Sequence, residues 1–230
     1  MEDNTKYPRT YHLPFSPGAQ KDDRKISTNW DWFGSMFGRR EVVITEKLDG
    51  ENSALTRDGV YSRSHAEVTH SPWSVNLWGN FGIHWKVKDA ISPKEILYGE
   101  NLYGIHSIEY EKLPAYFFLF AVRDDERWYS WDEVEEFAKL LDIPSAPVLY
   151  RGVLKDEHEL ETICENSVKT PSFFGSTREG CVVRVADSFP LREWGELAFP
   201  FYVAKYVRQG HVQTDEHWTR HWKKAKLIGE

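Results

Sequence analysis

Apolar residues along this chain occur mostly in short runs separated by turn formers. Val42-Val43-Ile44-Thr45 is a β-branched run that ends at Lys47-Leu48-Asp49-Gly50, which predicts a strand followed by a turn. Ser53-Ala54-Leu55-Thr56 and Val60-Tyr61-Ser62-Arg63 flank Arg57-Asp58-Gly59, a pattern that predicts a hairpin. Val75 to Ile91 reads as mainly helical, interrupted by Gly79 and Gly82. Ile96-Leu97-Tyr98-Gly99-Glu100 and Tyr116 to Val122 predict strands. Ser130-Trp131-Asp132-Glu133 has the form of a capping box, and Val134, Phe137, Ala138 and Leu141 then share one helical face until Pro144. Val148-Leu149-Tyr150 predicts a short strand and Glu157 to Asn166 a second amphipathic helix. Cys181 to Val185 and Phe201 to Val207 predict the last two strands. Residues 1–40, with Pro8, Pro14, Ser16-Pro17-Gly18 and Lys21-Asp22-Asp23-Arg24, read as a wrapped arm with little regular structure.

Strands outnumber helices and the two are mixed in order. The expected fold class is therefore α+β, with mainly antiparallel sheets flanked by helices. The pattern divides the chain into an arm over residues 1–40, a central domain over 41–208, and a short basic and aromatic helix or tail over 209–230.

Composition narrows the function classes. At 230 residues, 40% hydrophobic and 28% charged, the sequence has a globular balance. The longest clean apolar run, Ala115 to Val122, is eight residues, against the roughly 18 of a membrane span. Met1 to Lys6 contains no apolar signal core. The two cysteines, Cys164 and Cys181, fit neither a disulfide framework nor a metal spacing, so a cytoplasmic chain is expected. The net charge of −7 is unevenly spread: Lys205 to Lys226 carries +4 and the remainder −11. Such a basic end can hold phosphates locally.

Five short stretches carry candidate chemistry: Lys47-Leu48-Asp49-Gly50, Tyr98-Gly99-Glu100, the aromatic run Tyr116 to Val122, Glu179-Gly180-Cys181-Val182-Val183-Arg184, and Tyr202-Val203-Ala204-Lys205-Tyr206. Each alone reads equally as structure. For example, Gly50 would take a positive φ in an ordinary turn, with Asp49 bonded to its own backbone. Their order, each at a strand or strand end, resembles the covalent nucleotidyltransferases, the superfamily of ATP-dependent polynucleotide ligases and capping enzymes, and most of all the RNA ligase branch. Ser62-Arg63 falls where a further motif is expected. The resemblance covers roughly residues 40–210.

The resemblance implies that Lys47 attacks the α-phosphate of ATP and forms a lysyl-AMP phosphoramide. An amine is nucleophilic only when neutral. Half neutrality at pH 7.4 requires a fall from about 10.4, a bias of roughly 4 kcal/mol. Mg²⁺ (or Mn²⁺) and Lys205 would both disfavour a second cation at Lys47. The resemblance also implies that Lys205 faces the α-phosphate, that Asp49 and Glu179 hold the metal through water, and that Glu100 accepts from ribose hydroxyls. Arg63 would hold the ribose or the phosphate end of the nucleic acid. Phe120 would stack on adenine, with Phe118, two residues away on the strand, as the alternative. Glu46 would meet the adenine edge, through its side chain or its backbone.

The sequence departs from the pattern in the last strand, where the family often alternates two basic residues. Val203 and Val207 flank Lys205 at those positions, and Arg208 is out of phase. Only 22 residues follow Arg208, too few for an OB-fold module, which favours a minimal RNA ligase. Arg208, His211, Arg220 and Lys223, together with Trp218 and Trp222, would then grip RNA bearing 5′-phosphate and 3′-hydroxyl ends. DNA nick sealing, GTP-dependent capping with the same lysine, and non-catalytic binding of RNA ends remain alternatives.

Overall fold

The computed structural model describes residues 5–62, 67–79, 82–193, 196–211 and 221–230. In chain order the elements are β1 (Tyr11–His12), α1 (Trp32–Met36), β2 (Glu41–Lys47), β3 (Glu51–Leu55), β4 (Val60–Ser62), α2 (Ile83–Ala90), β5 (Ile96–Asn101), β6 (Phe117–Arg123), β7 (Arg127–Trp128), α3 (Trp131–Leu141), β8 (Val148–Val153), α4 (Glu157–Lys169), β9 (Gly180–Val185), β10 (Phe189–Pro190), β11 (Arg192–Glu193), β12 (Glu196–Leu197) and β13 (Val203–Val207). One sheet has the order β1-β13-β9-β2-β8 and a second the order β10-β7-β6-β5-β3-β4; β11 and β12 form a separate hairpin. The pairings are antiparallel except that of β1 with β13. This is the expected α+β class.

The apolar run of β2 is continuous because both of its faces are covered. Val42 and Ile44 join a core with Val183 and Ala204 of the first sheet and Ala54, Tyr98, Ala121 and Trp128 of the second. Val43 faces the other way, into a core with Leu97, Leu119 and the α3 residues Val134, Ala138 and Leu141. The capping box of α3 forms: Ser130 Oγ accepts from Glu133 N, and Glu133 Oε2 accepts from Ser130 N at 2.8 Å.

One expectation is corrected. The segment from Val75 to Ile91 is not one helix but a 3₁₀ turn at Pro72–Leu77 followed by α2; Gly79 takes φ +80°, which no α-helix accommodates. The arm contains a strand and a short helix, since β1 is built by pairing with a strand some 190 residues later and leaves no local periodicity. Residues 221–230 are not helical. They run along residues 103–113 through bridges Gly104–Lys224 and Leu113–Leu227 and the bond from Ala225 N to Tyr103 O.

Candidate active site

The two sheets enclose a cavity of about 410 Å³, lined from the first by Thr45, Lys47, Val182, Arg184 and Lys205 and from the second by Glu51, Glu100, Phe120 and Trp128. β2 ends at Lys47 opposite Gly180, and Lys205 pairs with Val182 across the other edge of β9, so three strands deliver the motif residues to one place. Gly180 is required by that packing: a Cβ there would lie 1.9 Å from Tyr206 O. Gly50 serves similarly. It is not at positive φ; a Cβ would meet Asn101 O at 2.5 Å, and its N–H donates to Glu100 Oε1 at 3.0 Å.

Lys47 Nζ donates to Glu179 Oε2 at 2.6 Å, with the lysine side chain 25% exposed and the glutamate 7%. Burial disfavours the ammonium, but Glu179, Glu100 and Asp49 together outweigh it and hold the Lys47 pKa above its ordinary value. The expected depression of this amine concerned the state with a divalent cation and Lys205 beside it; the gathered carboxylates by themselves act in the opposite direction. The same crowding acts on the acids. Burial, reinforced by Glu179 and Asp49, pushes Glu100 up to about 8 against the pull of Lys47. Burial raises Glu179 as well.

Asp49 is turned partly to structure: its Oδ2 accepts from the Ser107 and Ile108 N–H groups at 2.8 and 2.7 Å, anchoring the following loop. The Glu46 side chain is committed elsewhere. It is fully buried, pairs with Arg178 Nε at 3.2 Å and accepts from Ser172 Oγ at 2.5 Å. Glu46 itself lines the cavity, with its carboxylate held by these partners. Phe120 lines the cavity and meets Tyr7 edge-on at 5.2 Å, whereas Phe118 is buried against Phe174 at 4.9 Å. Phe118 stands opposite Glu100 in register but packs into a separate core cluster with Leu48, Tyr110 and Phe174. Register moves from Gly99–Leu119 to Tyr98–Ala121, so Phe120 is the extra residue of a β-bulge.

Lys205 stands 3.8 Å from Asp23 of the arm. His211 lies close enough to Lys47, Asp49 and Lys205 that, after burial, their charges shape its lowered pKa. Arg208 N donates to Glu179 O at 3.0 Å, while its Nε and Nη2 are buried with no hydrogen-bond partner among the described residues. Lys223 is exposed beside Trp222, which approaches Trp73 at 6.3 Å and Tyr103 at 6.0 Å. Arg63, Arg220 and Trp218 lie outside the described residues.

Sequence reasoning missed several neighbours. Arg184 is buried in the cavity wall, donating to Tyr129 O and Val185 O, and burial lowers it to about 10, still charged at neutral pH. Alternation from Val182 along β9 is the signal that could have found it. Glu51 accepts from Ser62, Trp73 and Ser74, and nothing local marked it.

Two sheets closing on a lysine, a second cation and three carboxylates define a nucleotidyltransferase domain of the ligase type. The sequence matches the RNA ligase family over residues 40–207, and the chain belongs to that family. Among solved structures it is similar to an archaeal ATP-dependent RNA ligase (13% identity, TM-score 0.55, covering 88% of this chain and 48% of that one). It is also similar to the Naegleria gruberi RNA ligase with pyrophosphate (18%, 0.51, 74% and 50%). A variant of that ligase is solved with ATP and manganese. A putative ATP-dependent DNA ligase from Aquifex aeolicus gives 19% identity and TM-score 0.53, with 88% and 50% covered. The chain thus spans about half the length of these structures. No curated protein matches the sequence. Among the described residues, no helix is long and apolar enough to cross a membrane.

Proposed function

We propose that the chain is an ATP-dependent RNA ligase acting through a lysyl-AMP intermediate, in the cytoplasm. The observation that carries this reading is Lys47 Nζ at 2.6 Å from Glu179 Oε2, with Glu100, Asp49 and Lys205 around it, inside a chain of the RNA ligase family. Lys47 first loses a proton, for which Glu179 Oε2 is the nearest acceptor. Nζ then bonds to the α-phosphorus of ATP as the bond to pyrophosphate breaks. A 5′-phosphate oxygen of the RNA next takes the AMP and returns the lysine. A 3′-hydroxyl finally attacks that 5′-phosphate and expels AMP.

Lys205 balances charge that grows on the α-phosphate. Glu100 receives a ribose hydroxyl, and Phe120 supplies a ring face to the adenine. The donor set fits a divalent cation, magnesium or manganese. Among the described residues no three His, Cys, Asp or Glu side chains form a cage, and such hard ions are commonly held by one or two carboxylates plus substrate phosphates. Glu179 and the free oxygen of Asp49 would hold it through water, and it would supply positive charge beside the triphosphate.

Arg208, with two unspent buried nitrogens, fits the second positive contact that Val203 and Val207 do not provide. Lys223 and the half-exposed Trp73, Trp222, Tyr103 and Tyr116 form a basic and aromatic ledge suited to phosphates and unstacked bases, and His211, near Lys47 and Lys205, would contact a phosphate closer to the lysine. Arg63 and Arg220 belong to the same proposed contact set. The test is sealing of nicked duplexes with RNA or DNA at each end. ATP-dependent joining at RNA ends, lost in Lys47→Ala, is expected. Joining of DNA ends alone, or transfer of GMP from GTP, would replace the reading with one of its relatives.

A further inference from the structure

The N-terminal arm is fastened to the strand that carries Lys205 on both sides of that residue. β1 runs parallel to β13 with His12 in register with Lys205. Leu13 N donates to Lys205 O at 2.8 Å, and Gly18 N donates to Val207 O at 2.9 Å. Between them, Ser16 Oγ accepts from Val207 N at 3.0 Å and meets His12 Nδ1 at 2.9 Å. The fit is tight enough that a Cβ on Gly18 would lie 2.4 Å from Arg208 O. Ser16-Pro17-Gly18 is therefore a clasp rather than a surface turn.

From this clasp the chain returns and presents Asp23. Its Oδ2 accepts from Gln20 N at 3.0 Å, and Asp23 N donates back to Gln20 O at 3.1 Å, so a turn fixes the carboxylate. The same Oδ2 faces the buried His12 Nε2 at 3.2 Å, off the line of a hydrogen bond. Oδ1 faces Lys205 Nζ at 3.8 Å. A lysine has a long flexible stem and no intrinsic preference for one position of its charge. On this strand Val203 and Val207 leave one ammonium to do the work, so its placement matters more than in a strand with two. A separation of 3.8 Å is beyond hydrogen-bond length but within ion-pair reach, which steers the ammonium without locking it against a phosphate.

We infer that Asp23 is a positioning residue for Lys205: the arm, through His12, Ser16 and Asp23, sets where the Lys205 charge stands beside Lys47. The inference rests on the proposed adenylation chemistry for its consequence, though not for the contact itself. Asp23 is partly exposed, so Asp23→Asn keeps the shape and should leave the melting temperature within about 2 °C.

The experiment follows single-turnover lysyl-AMP formation with ATP and Mg²⁺ in the full chain. Asp23→Asn should lower the maximal rate about tenfold with little change in the ATP concentration giving half that rate, since misplacement costs rate. Asp23→Glu should restore most of it. In a Lys205→Ala background, Asp23→Asn should cost nothing further. A wild-type rate in Asp23→Asn, or equal slowing in both backgrounds, overturns the inference. In parallel, NMR of the isotope-labelled Lys205 side chain reads the contact without ATP. Its Nζ and Cε signals should shift in Asp23→Asn, and unchanged signals also overturn it. If wild type forms no lysyl-AMP, the adenylation reading fails while the NMR result still decides the contact.

Discussion

The ends of β2 and β9 carry two ion pairs made from neighbouring residues. Lys47 meets Glu179 on one side, and Glu46 meets Arg178 on the other. The second pair is closed: Glu46 is 0% and Arg178 5% exposed, Ser172 Oγ and Phe173 N donate to the carboxylate, and Arg178 Nη1 donates to Ser167 O and Thr170 Oγ1, while Arg178 Nε faces Glu46 off the line of a hydrogen bond. The first opens on the cavity and has too many carboxylates for its lysine. A buried pair held on several sides by neighbouring donors and acceptors is a clamp. A pair whose neighbours push both partners away from their ordinary pKa values can change state when a charged ligand arrives. Alternation along two strands is enough to separate the roles.

Breaking each pair should therefore damage different properties. Lys47→Ala should abolish lysyl-AMP formation, a loss of about 10³-fold or more, while thermal unfolding remains cooperative, because Glu179 and Glu100 can take up protons. Single-turnover assays and melting curves on the same sample check both halves. Arg178→Met leaves the Glu46 carboxylate buried without its partner and should cost about 3–5 kcal/mol, or roughly 10 °C in melting temperature. Lysyl-AMP formation in the cold, where the variant is folded, should survive. If adenylation falls as far as in Lys47→Ala while the fold is intact, the contrast between the pairs is wrong.

The aromatic strand offers a similar contrast on a smaller scale. Phe120→Ala should raise the ATP concentration for half-maximal adenylation about tenfold, for loss of a stacking face. Phe118→Ala should instead destabilise by about 3–5 kcal/mol with little effect on ATP use, since its ring is core. Urea melts and ATP titrations separate them.

The smallest effect is in pH dependence. Glu100 is held up to about 8 against an ordinary 4.5, so between those values the folded chain keeps a proton that the unfolded chain has lost. Raising the pH through that window costs stability, and the loss levels off above about 8. His12, lowered to about 4 by burial and the charge of Lys205, acts in the opposite sense between 4 and 6.5. Melting temperatures from pH 6.5 to 8.5 isolate Glu100: wild type should decline across this range, and Glu100→Gln should decline less.

Much of this was legible because strands announce themselves locally. β2, β5, β6 and β9 follow from their apolar runs, and α3 from its cap. Lys47, Glu100, Glu179 and Lys205 could be singled out because a family order supplemented weak single motifs. What stayed hidden depended on partners distant in sequence. The bulge at Phe120 is a property of pairing with β5. The pinning of Glu46 needs Arg178, 132 residues on, and β1 exists only against β13. The balance of charge at Lys47 is hidden for the same reason: Glu100 and Glu179 are distant in sequence, and only the fold brings them to it.

The most direct test of the central claim is intact-mass analysis of the chain after incubation with ATP and Mg²⁺, followed by peptide mapping. The account predicts one added AMP, on the peptide containing Lys47 and sensitive to acid as a phosphoramide. An unmodified chain, or AMP carried on another residue and unaffected by Lys47→Ala, would contradict it.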